Sequence, residues 1–296
     1  MFKKTELLLF IVAAGWGIGF PVMKLAISDE PVTTILWLRF VFSSVIMLPF
    51  IFNKLNLINY RFILHGVLLG SILGVSFLFL IFGLKFTTAS NTGFLAGLSV
   101  IWVVIIPKLF KQKSFDKSSV ISSLFGLLGI FIISDVHNIS INYGDTLVII
   151  GSLFTSIHIL YLDKISKVYD NTVLTVLQFI SVSIVMLIAN AAIDDSYFPK
   201  TWSFNILFVL LFTSIFSTVI AFWIQTKYQK YTSPERATLI YNFEPVFSAF
   251  FAILILNEKM STNVIVGGGV ILLGMCIPSL ANIRIFSKNQ TKHNVK

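Results

Sequence analysis

The stretch RFILHGVLLGSILGVSFLFLIFGL, residues 61–84, decides the fold of this chain. Its only formal charge at neutral pH is Arg61, at the very start. A helix needs roughly 20 mostly apolar residues to cross a hydrocarbon core about 30 Å thick. Because lipid offers no hydrogen-bond partner, a crossing segment must satisfy its own backbone groups, as a helix does. Residues 61–84 therefore predict a transmembrane helix.

The composition of the whole chain also indicates a protein that lies in lipid. Hydrophobic residues make up 56% of the 296 residues, and charged residues only 12%, against about 25% in an ordinary soluble domain. This excludes a soluble enzyme and a disordered chain. The single cysteine, Cys276, excludes an intrachain disulfide. In a soluble protein the net charge of +9 would suggest nucleic acid, but here we expect no nucleic-acid partner.

Nine further segments share the length and apolar character of residues 61–84. Their runs are long and continuous, whereas the strands of a membrane β-barrel alternate over about 10 residues. The sequence therefore predicts an all-α integral membrane protein with ten transmembrane helices. We expect these helices at 5–27, 32–52, 61–84, 88–110, 118–134, 145–167, 170–190, 203–229, 233–256 and 262–282.

Lysine and arginine predict the orientation of the ten spans. An even number of spans puts both termini on one side, and seventeen of the 22 basic residues fall there. Four fall on the other side, namely Lys24, Lys85, Lys200 and Lys259, and Arg39 lies within a span. Because basic loops stay in the cytoplasm, we expect both termini to be cytoplasmic. The expected location is the inner (plasma) membrane of a bacterium, as a multi-pass protein.

A weak internal duplication divides the spans into two sets of five. LWLRFVFSSVIMLPF (36–50) aligns with VLQFISVSIVMLIAN (176–190), and TASNTGFLAGL (88–98) aligns with TSPERATLIYN (232–242). Five is odd, so the second copy enters the membrane in the opposite orientation, a layout common in secondary transporters. The sequence therefore predicts two inverted five-helix repeats. Their bounds are 5–134 for the first repeat and 145–282 for the second, followed by a cytoplasmic tail at 283–296.

Several stretches resemble a known family. They include AAGWGIGFPVMKLAI (13–27), TTASNTGFLAGLSVIWVVIIP (87–107) and TSPERATLIYNFEPVFSAFFAILILNEK (232–259). With them the chain resembles EamA-type transporters of the drug/metabolite transporter superfamily over nearly its whole length. One departure is Lys111-Gln112-Lys113, where members often carry Gly-Glu. The resemblance implies a ten-helix protein of two EamA-like repeats that moves small metabolites, and it is nearly silent on which ones.

Glu244 is the strongest candidate for a functional residue. It falls near the middle of the span predicted at 233–256, where an ionised carboxylate is costly unless it faces protein or water. Pro245 follows it and is expected to kink the helix, and Tyr241 lies on the same helical face. Glu244 would either bind a substrate amine or carry a proton, or else pin neighbouring helices through hydrogen bonds. The sequence leaves these interpretations open.

Five other residues complete the candidate substrate site. Arg39 would bind a substrate carboxylate, or else snorkel or pair with a helix end. His158 would relay protons or pack with a hydrogen bond. Trp16 and Phe20, one turn apart, would form an apolar cavity wall or ordinary packing. Asn91 would line a transport path or hold helices together.

These features favour a secondary transporter, an exporter of small organic metabolites such as amino acids, working by alternating access. The alternatives are a membrane-embedded lipid-modifying enzyme and a non-transporting scaffold or receptor. We expect no enzyme, because the chain has neither Gly-x-Ser-x-Gly nor His-Glu-x-x-His. We also expect no cofactor and no metal. The expected partners are a small-molecule substrate, membrane lipid and a coupling proton, with the chain acting as a monomer or homodimer.

Overall fold

The computed structural model is built of helices wherever it describes the chain, and those residues contain no β-strand. This confirms the prediction of an all-helical protein. The described residues are 4–110, 121, 124–126, 128–129, 132, 142–194, 196–232, 237, 240–241, 243–274 and 276–277.

Nine continuous helical segments lie within the described residues, and seven of them are long and apolar enough to cross a membrane. They are α1 (Lys4–Ile27), α2 (Val32–Leu57), α3 (Tyr60–Phe86), α4 (Ala89–Leu109), α5 (Tyr143–Ile165), α6 (Asn171–Ile193), α7 (Phe204–Tyr231) and the shorter α8 (Glu244–Leu256) and α9 (Thr262–Gly274). The chain is thus a helical membrane protein. The count of ten helices and the inverted repeat stay predictions. Most of 118–134, all of 111–117 and the tail 283–296 lie outside the described residues.

Short polar side chains fix where several helices begin. The side chain of Asn59 accepts a hydrogen bond from the backbone N–H of Phe62, 2.9 Å away, and Thr88 accepts one from Asn91, 3.0 Å away. Asp170 caps α6 in the same way. Such caps satisfy the N–H groups that the first turn of a helix leaves without partners. The helix starts therefore follow from the local sequence.

A lysine and a glutamate satisfy the two helix ends at the junction of α3 and α4. Lys24 Nζ donates to the carbonyl oxygens of Leu84 and Thr87 at the end of α3. The Glu258 carboxylate accepts from the backbone N–H of Ala89, at 2.8 Å, and of Ser90, at 3.2 Å. A cation at a helix C-terminus and an anion at an N-terminus are both favourable. The junction is thereby joined to α1 and to the chain after α8.

Glycines allow the helices to approach closely. Helix α1 packs against α8, and α3 packs against α5 and α6. A Cβ atom on Gly17 would lie 2.5 Å from Cβ of Phe247, and one on Gly70 would lie 2.5 Å from the carbonyl oxygen of Gln178. Because lipid is as apolar as leucine, helix association in a membrane relies on such close contacts. The glycines therefore allow these helix pairs to pack in direct contact.

One turn of α7 departs from α-helical geometry. Residues Thr213–Ile220 form a π-helix, and the Thr218 hydroxyl donates to the carbonyl oxygen of Thr213, five residues earlier, at 2.9 Å. Short π-helical turns inside longer helices are uncommon and often occur at functional sites. This turn brings Ser217 and Thr218 against α2.

We predict that Gly17→Ala lowers the melting temperature of the protein in detergent, with a cost of about 1–3 kcal/mol typical of overpacking. Gly93→Ala should behave alike, because its Cβ would lie 2.3 Å from Cβ of Ser248. Gly269→Ala is the matched control, since nothing lies within 4 Å of the added atom. Tryptophan fluorescence during heating would report all three. Equal melting of Gly17→Ala and Gly269→Ala would contradict the packing described above.

Candidate functional site

A cavity lies inside the bundle, lined by side chains from both predicted repeats. It encloses about 610 Å³ not filled by protein atoms, including the part that opens to solvent. Five of the seven predicted site residues line it, which are Trp16, Phe20, Arg39, His158 and Glu244. The structure therefore gathers these residues in one space, although they are far apart in the sequence.

Two predicted site residues lie apart from the cavity lining. Tyr241 is buried behind Trp16, with ring centroids 5.2 Å apart, and its hydroxyl donates to Oε1 of Gln229 at 3.3 Å. Asn91 lies in the first turn of α4, where its Nδ2 donates to Oγ1 of Thr87 at 3.3 Å. Tyr241 therefore backs the cavity wall, while Asn91 belongs to the α3–α4 junction.

Arg39 is a buried cation with few partners. Its Nε donates to Oγ1 of Thr218 at 2.7 Å, and its Nη2 donates to the carbonyl oxygen of Ser217 at 3.4 Å. Its guanidinium carbon lies 5.0 Å from the ring centroid of Phe77. Among the described residues, no carboxylate forms an ion pair with it. Within the described part of the chain, the guanidinium of Arg39 thus faces the cavity without a paired carboxylate.

Among the described residues, His158 is hydrogen-bonded to Gln178 of α6. Its Nε2 lies 2.8 Å from Oε1 of Gln178. Because an amide oxygen only accepts, this bond assigns the proton to Nε2. The Gln178 amide in turn donates to the carbonyl oxygen of Leu174 at 3.3 Å. The histidine is therefore hydrogen-bonded as the packing interpretation requires, and it also lines the cavity.

Glu244 stands at the first residue of α8, followed by Pro245 near the helix start. The predicted kink thus corresponds to the beginning of a helical segment. The residue as a whole is half-buried, and it lines the cavity. Within the described part of the chain it has no hydrogen-bond or ion-pair partner. The residue that joins α8 to a neighbour is Ser248, whose hydroxyl donates to the carbonyl oxygen of Ala89 at 2.8 Å.

Sequence reasoning missed four polar side chains that line the cavity. Ser217 and Gln225 lie on α7, Thr155 lies on α5 and Ser76 lies on α3. Oγ of Ser217 and Oε1 of Gln225 are buried without a hydrogen-bond partner in the described structure, as is Nε1 of Trp16. Buried polar atoms without partners are rare and need a reason. The available signal was the presence of Ser217, Thr218 and Gln225 inside an otherwise apolar span.

Aromatic rings form the apolar wall of the cavity. The ring centroid of Phe222 lies 5.3 Å from that of Trp16 and 6.0 Å from that of Phe77. The ring centroid of Phe40 lies 5.0 Å from that of Phe77. The cavity therefore combines a guanidinium group, a carboxyl group and an aromatic surface, which together suit a small organic molecule with polar groups and an apolar body.

The chain matches known proteins over nearly its whole length. The pattern of the EamA-like transporter family matches residues 3–135 and again residues 142–280, as the resemblance had indicated. An "uncharacterized transporter" of Archaeoglobus fulgidus is 30% identical over 93% of this chain and 86% of its own. The "uncharacterized transporter YoaV" of Bacillus subtilis is 25% identical over 92% and 95%. One crystal structure superposes with a TM-score of 0.69 at 14% identity, over 96% of this chain and 99% of the other.

We predict that Glu244→Gln leaves the melting temperature in detergent unchanged or raises it. The carboxylate has no partner in the described structure, and a neutral amide of the same shape is cheaper to bury. Ser248→Ala, one turn further along α8, should lower stability by about 1 kcal/mol because it removes a buried hydrogen bond. A loss in Glu244→Gln as large as that in Ser248→Ala would instead favour the structural interpretation of Glu244.

Proposed function

The chain belongs to the EamA-like transporter family and is a membrane transporter, and from this premise we propose that it exports small organic metabolites such as amino acids. It would act as a secondary transporter. The observation that supports this proposal is a single cavity lined by Arg39 and Glu244, two charges without ion-pair partners among the described residues. A transported ligand would supply the missing partners.

The substrate class follows from the chemistry of the cavity. The guanidinium of Arg39 would bind a carboxylate, because its planar N–H groups match two carboxylate oxygens. Glu244 would bind an ammonium group or exchange a proton. The aromatic wall around Phe222 would hold an apolar side chain. An α-amino acid with an apolar side chain satisfies all three requirements.

Alternating access is the proposed mechanism. In transporters built of inverted repeats, the site lies where the repeats meet, and rocking of one repeat against the other opens it to each side in turn. Arg39 and Phe20 come from the first predicted repeat, and His158 and Glu244 from the second. We propose that the cavity is this site and that its closure against water accompanies substrate binding.

Both termini are proposed to be cytoplasmic in a bacterial inner membrane, with the loop 191–202 outside. In a Cys276→Ala background, Ser196→Cys should react with an impermeant maleimide added to intact cells. Lys113→Cys should react only after the membrane is permeabilised, since the positive-inside rule keeps the basic loop in the cytoplasm. Equal labelling of both positions from outside would contradict this topology.

The test of transport uses purified protein in liposomes and a panel of radiolabelled amino acids. We expect counterflow of at least one panel member at equal pH, and accumulation of the same compound in energised everted vesicles if the direction is export. No flux of any panel member would contradict the proposed substrate class. The lipid-modifying alternative predicts altered lipid in the liposomes without any flux.

Glu244→Gln distinguishes the roles of the carboxylate in the same liposomes. If Glu244 carries the coupling proton, the variant should keep part of its counterflow and lose uptake driven by a pH step, because Gln keeps the shape but cannot ionise. If Glu244 binds the substrate amine, counterflow and uptake driven by a pH step should fall together. Glu6→Gln, a carboxylate of α1 that is not part of the cavity lining, is the control. Full activity of Glu244→Gln in both assays would remove Glu244 from the mechanism.

A further inference from the structure

The π-helical turn Thr213–Ile220 lies beside Arg39, in the wall of the cavity. Resting on the proposed transport function, we propose that this turn builds a carboxylate-binding subsite. In it, Thr218 positions the guanidinium of Arg39, and the hydroxyl of Ser217 donates a hydrogen bond to the carboxylate. The subsite would make these two residues determinants of substrate specificity.

One hydroxyl of the turn and one hydroxyl of α2 both donate to the backbone carbonyl oxygen of Arg39. The Ser214 hydroxyl donates to the carbonyl oxygen of Arg39 at 3.0 Å. The Ser43 hydroxyl, one turn further along α2, donates to the same oxygen at 2.8 Å and lies 3.3 Å from the carbonyl oxygen of Ser214. Because these groups are buried, their bonds are not exchanged with water. The position of Arg39 in the wall is therefore set by the π-helical turn.

Thr218 fixes the direction of the guanidinium. Its hydroxyl has one proton, which goes to the carbonyl oxygen of Thr213 at 2.9 Å. Its oxygen is therefore left to accept from Nε of Arg39 at 2.7 Å. The hydrogen bond from Thr218 to Thr213 spans five residues, which is the spacing of a π-helix. The local geometry thus turns the lone pairs of Thr218 toward Arg39.

The rest of the guanidinium is free to bind a ligand. Two of its five N–H groups have acceptors among the described residues, which leaves three without any. The rings of Phe77 and Phe40 lie 5.0 and 5.6 Å from its central carbon. Only 3% of Arg39 is exposed. A buried cation without an anion is costly, and a ligand carboxylate would remove that cost.

Ser217 supplies a donor at the same place. Its hydroxyl is buried, lacks a partner in the described structure and lines the cavity beside Arg39. Gly19 of α1 leaves room for this hydroxyl, since a Cβ there would lie 3.1 Å from the Ser217 oxygen, which is a tight contact. The carbonyl of Ser217 already faces Nη2 of Arg39, at 3.4 Å. In the proposed subsite, a carboxylate bound to the guanidinium also accepts from this hydroxyl.

The test measures binding of benzoate to the full-length protein in detergent, from the rise in melting temperature with ligand concentration. Benzamide is the neutral counterpart of equal shape, and phenylphosphonate distinguishes a planar carboxylate from a tetrahedral oxyanion. Potassium chloride at equal ionic strength controls for salt. We expect the wild type to bind benzoate more tightly than benzamide and phenylphosphonate.

Ser217→Ala should weaken benzoate binding about tenfold, as expected for loss of a hydrogen bond to a charged group, and leave benzamide unchanged. Its melting temperature without ligand should not fall, because the removed hydroxyl has no partner in the described structure. Thr218→Val should also weaken benzoate binding, and Thr218→Ser should restore it. A purely structural role for these residues would not produce this selectivity for the carboxylate.

Two results would overturn the subsite. One is a wild type that binds benzoate no more tightly than benzamide. The other is Ser217→Ala with unchanged benzoate affinity. These results are separate from the transport test. Amino-acid flux with unchanged benzoate binding in Ser217→Ala would reject the subsite alone. Benzoate binding that depends on Ser217, without flux of any amino acid, would reject amino acids as the transported substrates and leave the binding subsite.

Discussion

The absence of hydrogen-bond partners in hydrocarbon is the constraint on which this structure depends. It forces the backbone into helices. Each helix end and each buried charge then needs a hydrogen-bond or charge partner from the protein itself. At the α3–α4 junction, Lys24 satisfies the last carbonyl groups of one helix and Glu258 the first N–H groups of the next. Inside the bundle, the hydrogen-bond acceptors that Arg39 has among the described residues are one hydroxyl and one carbonyl oxygen. The remaining N–H groups of Arg39 have no acceptor in the described structure, and Arg39 lines the cavity.

The sequence predicted the helices and part of the site for the same physical reason. A long apolar run has one stable arrangement in lipid, so residues 61–84 predicted a helix that the structure extends to Tyr60–Phe86. Arg39 and Glu244 were found because a charge inside a span must face a polar interior. That rule does not hold for an amide. Asn91 lies at a helix start, where its Nδ2 donates to Thr87 and its side chain is not part of the cavity lining.

The π-helical turn was beyond sequence reasoning. Residues Thr213–Ile220 read as one apolar span with a few hydroxyls, and a hydroxyl in a membrane helix usually bonds to its own backbone. Thr213 does so, donating to Val209 at 2.7 Å, while Thr218 bonds both its own helix and Arg39. Whether a hydroxyl of α7 bonds only to its own helix or also to Arg39 depends on where α2 packs. The tertiary structure sets that position, and the local sequence does not. The polar lining contributed by Ser217 and Gln225 depends on the same packing.

In the proposed cycle, the guanidinium of Arg39 and an ionised Glu244 make closure depend on whether the cavity is occupied. Water in an open cavity solvates Arg39 and Glu244, but a closed and empty cavity would leave both charges in a medium of low dielectric constant, which is costly. A dipolar substrate brings one counter-charge to each, so its binding favours the closed state over the open one. A ligand shifts such an equilibrium only by its differential affinity for the two states. Here the difference in affinity would come from the two charges. An empty cavity would then close rarely, so the protein would exchange one substrate molecule for another unless a proton on Glu244 replaces the substrate ammonium.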